Sequence, residues 1–287
     1  MAERLVHVGN VLVDVVLYVP ALPERGADVL ATRSVVTPGG GVNVLTAAVR
    51  QGLPSVYGGM HGTGPFGDLC RAALADVQVV QPVLPDVDTG FTVAMVDGTG
   101  ERTFATSPGA EAQLDATRLA ALDVRSTDIL YVSGYGLAYP VNGPALASWL
   151  STVDAMVIVD PGPLVADIPA TVLDPVLARA DWLSCNEREA ALLGTLPPRS
   201  VIRGGADGCD VLDGTTTYVP PFPVEAIDTN GAGDTHVGAF AAALARGQDP
   251  VTAARRANAA AALSVTRRGP ATAPTSAEVD ELLAEHG

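Results

Sequence analysis

Apolar and polar positions along this chain change period repeatedly, and each change marks an element. Residues 4–19 (RLVHVGNVLVDVVLYV) form an apolar run broken by Gly9 and Asn10, which predicts strand, short turn, strand. Residues 28–37 predict a further strand, and residues 91–105 a hairpin turning at Asp97-Gly98-Thr99-Gly100. These strands make either a small separate sheet or an extension of a larger one. In residues 38–52 (PGGGVNVLTAAVRQG) three successive glycines permit close backbone approach, and Asn43 begins an amphipathic helix. From residue 107 onward the pattern alternates: helix LDATRLAALD, strand DILYVSGY, helix GPALASWL, strand AMVIVDPGP, helix TVLDPVLARA. Short apolar strands alternating with helices argue for an α/β fold of parallel βαβ units, its sheet covered on both faces. Residues 180–194 read as a strand entering a helix at Asn186, and residues 200–214 as strand, turn, strand.

Composition narrows the chemistry. The chain has 287 residues, 48% of them hydrophobic, and a net charge of −15. That charge argues against nucleic acid or an anionic membrane surface as partner. All 17 basic residues are arginine. Without lysine, a Walker A phosphate loop, a protein-kinase strand lysine and a Schiff base are excluded. Cys70, Cys185 and Cys209 are too scattered for a disulfide framework, and the four histidines show no metal-ligand spacing. No apolar run reaches the ~20 residues of a membrane helix, and MAERLVHVGN lacks a signal-peptide pattern. The expected compartment is cytoplasmic.

The stretch Asp228-Thr-Asn-Gly-Ala-Gly-Asp234 precedes a helical run in which Val237, Phe240, Ala241 and Leu244 lie three and four apart. A glycine-rich turn opening a helix aims free amides at one spot, and the helix dipole adds partial positive charge. Gly231, Ala232 and Gly233 thus make a candidate anion site. Asp234 at its rim is either an N-cap or a base that takes a proton from an attacking hydroxyl.

The heptad DTNGAGD resembles the second signature of the ribokinase-like, or PfkB, carbohydrate kinases, and further segments match that family in order over nearly the whole chain. The resemblance implies a single domain over residues 1–287. Its fold would be a three-layer ribokinase-like one, a mostly parallel central sheet flanked by helices. A small β-sheet lid would be built from residues 12–37 and 90–106. It implies transfer of the γ-phosphoryl of ATP to a hydroxyl of a sugar, a sugar-like alcohol or a nucleoside, with Mg²⁺. Asp234 would be the catalytic base and Gly231, Ala232 and Gly233 the anion hole.

By the same resemblance Asp14, Gly40, Gly41 and Asn43 bind the substrate. Gly40 falls where some members place a lysine, which implies an unphosphorylated acceptor. Asn186 and Glu189 organise Mg²⁺ and the phosphates, Glu189 through water; Gly205 and Gly208 form a turn near ATP. Asn258 lines the adenine pocket, and Asp228 helps hold a monovalent cation such as K⁺ together with the loop RRGPATAP, the remaining ligands being backbone carbonyls. The lid would also serve as a homodimer contact.

Each residue has a plainer local reading. Asp14 suits a strand edge, Asp160 a turn, Asn186 and Glu189 a helix cap, His236 a buried ring, and Arg203 a surface ion pair, its other reading being an offset to phosphate charge. For ATP, the turn backbone after Arg203 is the expected contact rather than its guanidinium. Two rival functions remain. Gly62-Thr-Gly-Pro-Phe-Gly67 has the GxGxxG spacing of an NAD(P)-dependent oxidoreductase. Against it, Pro65 stiffens the turn, the acidic residue expected ~20 positions on falls at Asp86 in a proline-flanked loop, and this is not the first βα turn. The other rival is a regulator that binds sugar or nucleotide without turnover. Thr63, Gly64 and His236, which depart from the family pattern, are what favour it.

Overall fold

Strand β1 (Arg4–His7) is an interior strand of a nine-stranded sheet, third from one edge. Its neighbours are β8 (Asp128–Ser133) and β4 (Ser55–Tyr57), both parallel to it, and β5 (Gln78–Val79) closes that edge. Beyond β8 come β9 (Met156–Asp160), β10 (Trp182–Asn186) and β11 (Arg199–Arg203), again parallel. Strands β12 (Cys209–Asp213) and β13 (Thr215–Val219) finish the sheet as an antiparallel meander. The computed structural model describes residues 2–269 and 271–286.

The apolar strands are buried on both faces because neighbouring residues point to opposite cores. Leu5, Ile129 and Ile158 face one core; Val6, Leu130, Val157 and Val159 face the other. The first core is covered by α1 (Gly41–Arg50), α8 (Ala232–Ala245), α9 (Pro250–Val265) and α10 (Ser276–Glu285). The second is covered by α3 (Ala116–Ala120), α5 (Asn142–Leu150) and α6 (Ala170–Arg179). Helix α2 (Pro65–Ala73) packs Cys70 and its C-cap Leu74 with Val11, Val13 and Leu45, with Val79 of β5 at the margin; α4 (Gly134–Ala138) follows β8, and α7 (Glu187–Leu193) follows β10. Alanine-rich faces let α8 and α9 approach closely. At Gly238 the approach to α1 is closer still: a Cβ there would lie 2.6 Å from both Val44 O and Ala47 Cβ. No helix among the described residues is long and apolar enough to cross a membrane.

A second sheet stands apart, in the order β3 (Arg33–Gly40), β2 (Val11–Tyr18), β6 (Phe91–Val96), β7 (Arg102–Ser107). It is a lid. Val11, Val13, Val42, Leu45 and Tyr57 form a third core that anchors it to the main body. Two expectations change here. Residues 28–32 are not strand, because β2 ends at Tyr18 and its last partner is Arg33. And Asn43 does not begin α1. Gly39 and Gly40 still pair with Leu12 and Val11, Gly40 turns the chain with φ 59°, and the helix starts at Gly41.

Candidate active site

The parallel strands end on one side of the sheet, and their last residues wall a cleft of ≈ 250 Å³: His7, Ser133, Asp160 and Arg203. The N-terminal turn of α8 closes the cleft from above. Gly231 holds a left-handed φ of 74°, which favours glycine. A Cβ at Gly231 would press on Asn43 at 3.3 Å, and one at Gly233 would lie 3.6 Å from the Arg203 guanidinium. Amides in the first turn of a helix have no intrahelical acceptor; Gly231, Ala232, Gly233 and Asp234 all line the cleft, although Ala232 N donates weakly to Thr229 O at 3.3 Å. The donors, the dipole and the lack of side chains fit a phosphate group.

Asp234 remains partly open to this cleft. Its carboxylate accepts from Asn43 Nδ2 at 2.9 Å. Asn43 Oδ1 in turn accepts from the amide of Ala271 at 2.9 Å, which fixes which end of the Asn43 amide faces Asp234. Protein packed around the Asp234 carboxylate pushes its pKa up to about 6, and the charges of Asp160 and Asp14 push the same way. The Asn43 hydrogen bond and Arg203 oppose them. A carboxylate so tuned is ionised at neutral pH yet basic enough to take up a proton.

Of the two readings of Arg203, the surface one does not hold. It is not a surface residue: its side chain is 13% exposed and walls the cleft. Nη1 donates to Asp160 Oδ2 at 2.8 Å and to Ser184 Oγ at 2.7 Å, and Nη2 lies 3.8 Å from Glu189. Burial works against its charge, but Asp160 and Glu189 more than offset that and hold it cationic. Its place at the C-terminal end of a parallel strand was the available signal. Asp160 makes the turn expected of it, accepting from Gly162 N at 3.0 Å, and pairs with Arg203 as well.

Asn186 and Glu189 form a reciprocal capping box. Asn186 Oδ1 accepts from Glu189 N at 2.8 Å, and Glu189 Oε2 accepts from Asn186 N at 2.9 Å. Glu189 is buried and borders the cleft; burial, then Asp160, raises its pKa. No three or more His, Cys, Asp or Glu among the described residues are grouped to hold a metal. Glu189 and Asp160 at the cleft wall offer hard carboxylate oxygens, the donor type that suits Mg²⁺, an ion that keeps several of its waters.

The other singled-out residues lie as follows. Asp14 on β2 packs against Gly39, where a Cβ would meet Oδ2 at 2.1 Å. Burial pushes its pKa up to about 6, against the pull of Arg102. Gly40 and Gly41 line the cleft floor, and a Cβ on Gly41 would strike His7 Nε2 at 2.2 Å. Gly205 and Gly208 shape the β11–β12 turn with φ of 62° and 86°; neither is among the residues lining the cleft. Asn258 is a strut. Its Nδ2 donates to Val219 O and Pro220 O at 3.2 and 3.0 Å, and its Oδ1 meets His236 Nε2 at 3.1 Å. His236 is a buried ring that burial keeps neutral, its pKa lowered to about 3. Asp228 accepts from Asn230 N, Gly269 N and Arg102. Pro270, in the loop expected to complete a cation site, lies outside the described residues.

The GxGxxG stretch offers no room for a pyrophosphate. The carboxylate of Asp88 already accepts from Phe66 N at 3.1 Å and Gly67 N at 2.8 Å, filling the N-terminus of α2.

The model of the pfkB family carbohydrate kinases matches residues 2–277. The uncharacterized sugar kinase YegV of Escherichia coli is 32% identical over 306 aligned positions, covering 99% of this chain and 94% of that one. The ATP-dependent ribose-1-phosphate kinase of Halopiger xanaduensis is 30% identical over 98% of each chain. The crystal structure of ribokinase from Thermotoga maritima superposes with a TM-score of 0.83 at 25% identity, over 98% of this chain and 99% of that one. A nine-stranded sheet with a four-stranded lid, a glycine turn opening α8, and a family match spanning nearly every residue lead to one conclusion: this chain belongs to the pfkB family of carbohydrate kinases.

Proposed function

We propose that this kinase moves the γ-phosphoryl group of ATP to a hydroxyl of a small unphosphorylated sugar or sugar-like alcohol, with Asp234 as general base. The observation that carries this reading is the placement of Asp234, with its pKa near 6, in the same helical turn as the open amides. Asp234 takes the hydroxyl proton as the oxygen forms its bond to Pγ. The bond from Pγ to the bridging oxygen of ADP breaks, and ADP leaves with that electron pair. Amides at Gly231, Ala232 and Gly233, with the α8 dipole, hold the charge on the equatorial oxygens. Mg²⁺, held through water near Glu189 and by the phosphates, would neutralise charge on the β- and γ-oxygens. Arg203 keeps Asp160 and Glu189 in place and adds positive charge at the wall.

Acceptor binding falls to Asp14, whose carboxylate accepts hydrogen bonds from two hydroxyls, and to the backbone of Gly40 and Gly41. Asn43 acts by aligning Asp234. The gap left by a missing lysine at Gly40 supports an unphosphorylated acceptor. The lid closes over the acceptor and excludes water, and its exposed edge strands β3 and β7 suit a homodimer contact in the cytoplasm.

The test is an ADP-release screen over pentoses, hexoses, nucleosides and sugar phosphates with Mg²⁺, followed by Asp234→Asn. Loss of about 10²–10⁴ in kcat with ATP binding retained supports the reading. Unchanged turnover in the variant removes Asp234 from the mechanism, and preference for nucleosides or sugar phosphates replaces the acceptor class.

A further inference from the structure

Arg102 lies on β7 of the lid, but its guanidinium leaves that sheet for the loop ahead of α8. Nη2 donates to Asp228 Oδ1 at 3.1 Å, with side-chain exposures of 37% and 19%. The same carboxylate accepts Asn230 N at 3.0 Å and Gly269 N at 3.1 Å. All three partners are N–H donors. Arg102 also borders the cleft that holds Gly231 and Asp234.

The family resemblance implied a monovalent cation at Asp228, and among the described residues the groups around its carboxylate do not fit one. Such an ion is held by oxygen lone pairs. At Asp228 three donors occupy three of the carboxylate's roughly four acceptor positions, and the guanidinium there would repel a second positive charge. We infer that Arg102 takes the place of the monovalent cation at Asp228, so that phosphoryl transfer by this chain does not depend on K⁺. Arg102 is thereby a positioning residue. It orders the turn from Asp228 to Asn230 that leads into the amide cradle, and it does so from the lid, so closure and order of the cradle go together. The inference rests on the kinase reading above.

The whole protein is compared in choline chloride and in KCl at one ionic strength of about 0.1 M, where screening is equal. Thermal melting needs no substrate; ADP release uses the acceptor found in the screen. The wild type should melt and turn over alike in the two salts. Arg102→Ala and Arg102→Gln should turn over about tenfold more slowly in choline, regain part of that rate in KCl, and melt higher in KCl than in choline. Arg102→Lys should behave as wild type. The inference is overturned if wild type melts higher or runs severalfold faster in KCl, or if the Ala and Gln variants match wild type in choline within about twofold. If no acceptor yields ADP, the kinase reading is what fails, and the melting comparison still decides the role of Arg102.

Discussion

Asn43 and Asp234, 191 residues apart in sequence, meet in a 2.9 Å hydrogen bond. Each sits in the first turn of its helix, α1 and α8. The pairing joins the floor where the acceptor is proposed to bind to the turn where the phosphoryl group would sit. A side chain expected to touch substrate also binds the base, through Nδ2, and Ala271 through Oδ1.

Removing that donor should move the pH profile. The Asn43 hydrogen bond lowers the Asp234 pKa against the larger effect of burial. In Asn43→Ala the pKa rises further above its ordinary value, so the acidic limb of kcat/KM against pH shifts upward from about 6. The loss relative to wild type is therefore greater at pH 6 than at pH 8. An acidic limb that stays in place would show that another group titrates there.

The same shift has a consequence for stability. Asp234 binds its proton more tightly folded than unfolded, between the ordinary 3.8 and about 6. Stability from this group falls as pH rises through that window, and the folded state carries the penalty above it. Asp234→Asn should therefore melt higher than wild type by a few °C at pH 7.5, and the gap should close near pH 4. Buried neutral His7 and His236, both lowered to about 3, work oppositely by destabilising the fold as pH falls below the ordinary 6.5. They are common to both proteins and cancel in the difference. A variant that melts below wild type at pH 7.5 contradicts the sign.

Arg203 should be costly to remove. Arg203→Met leaves Asp160 and Glu189 facing each other across the cleft wall without a cation. Loss of one partner from a buried ion pair costs about 3–5 kcal/mol, readable as a lower denaturant midpoint. Adding Asp160→Asn should restore part of it by removing one of the opposed charges. A double variant no more stable than the single one would mean that packing, not charge, holds this wall.

The alternating strands and helices, and the glycine turn before α8, were legible in sequence because each is a local pattern with one physical cause. The capping box at Asn186 and Glu189 was legible for the same reason. What could not be read were pairings set by the fold. Arg203 looks like any arginine until the sheet places it at a strand end beside Asp160. Asp88 cannot be seen to fill the α2 N-terminus, because its partners lie 21 and 22 residues away. Arg102 and Asp228 are 126 residues apart. Asn43 was misjudged as a helix start because the strand ladder, which sequence does not display, extends through Gly40.

The contact at Gly238 sets limits on remodelling this molecule. With backbone and Ala47 packed against its Cα, residue 238 fixes the spacing between the helix carrying Asn43 and the helix carrying Asp234. Swapping lid residues can change the guest while leaving that spacing intact. One added methyl at 238 would wedge the helices apart, so a relative with a bulkier residue there would need a longer arm than asparagine to reach its carboxylate.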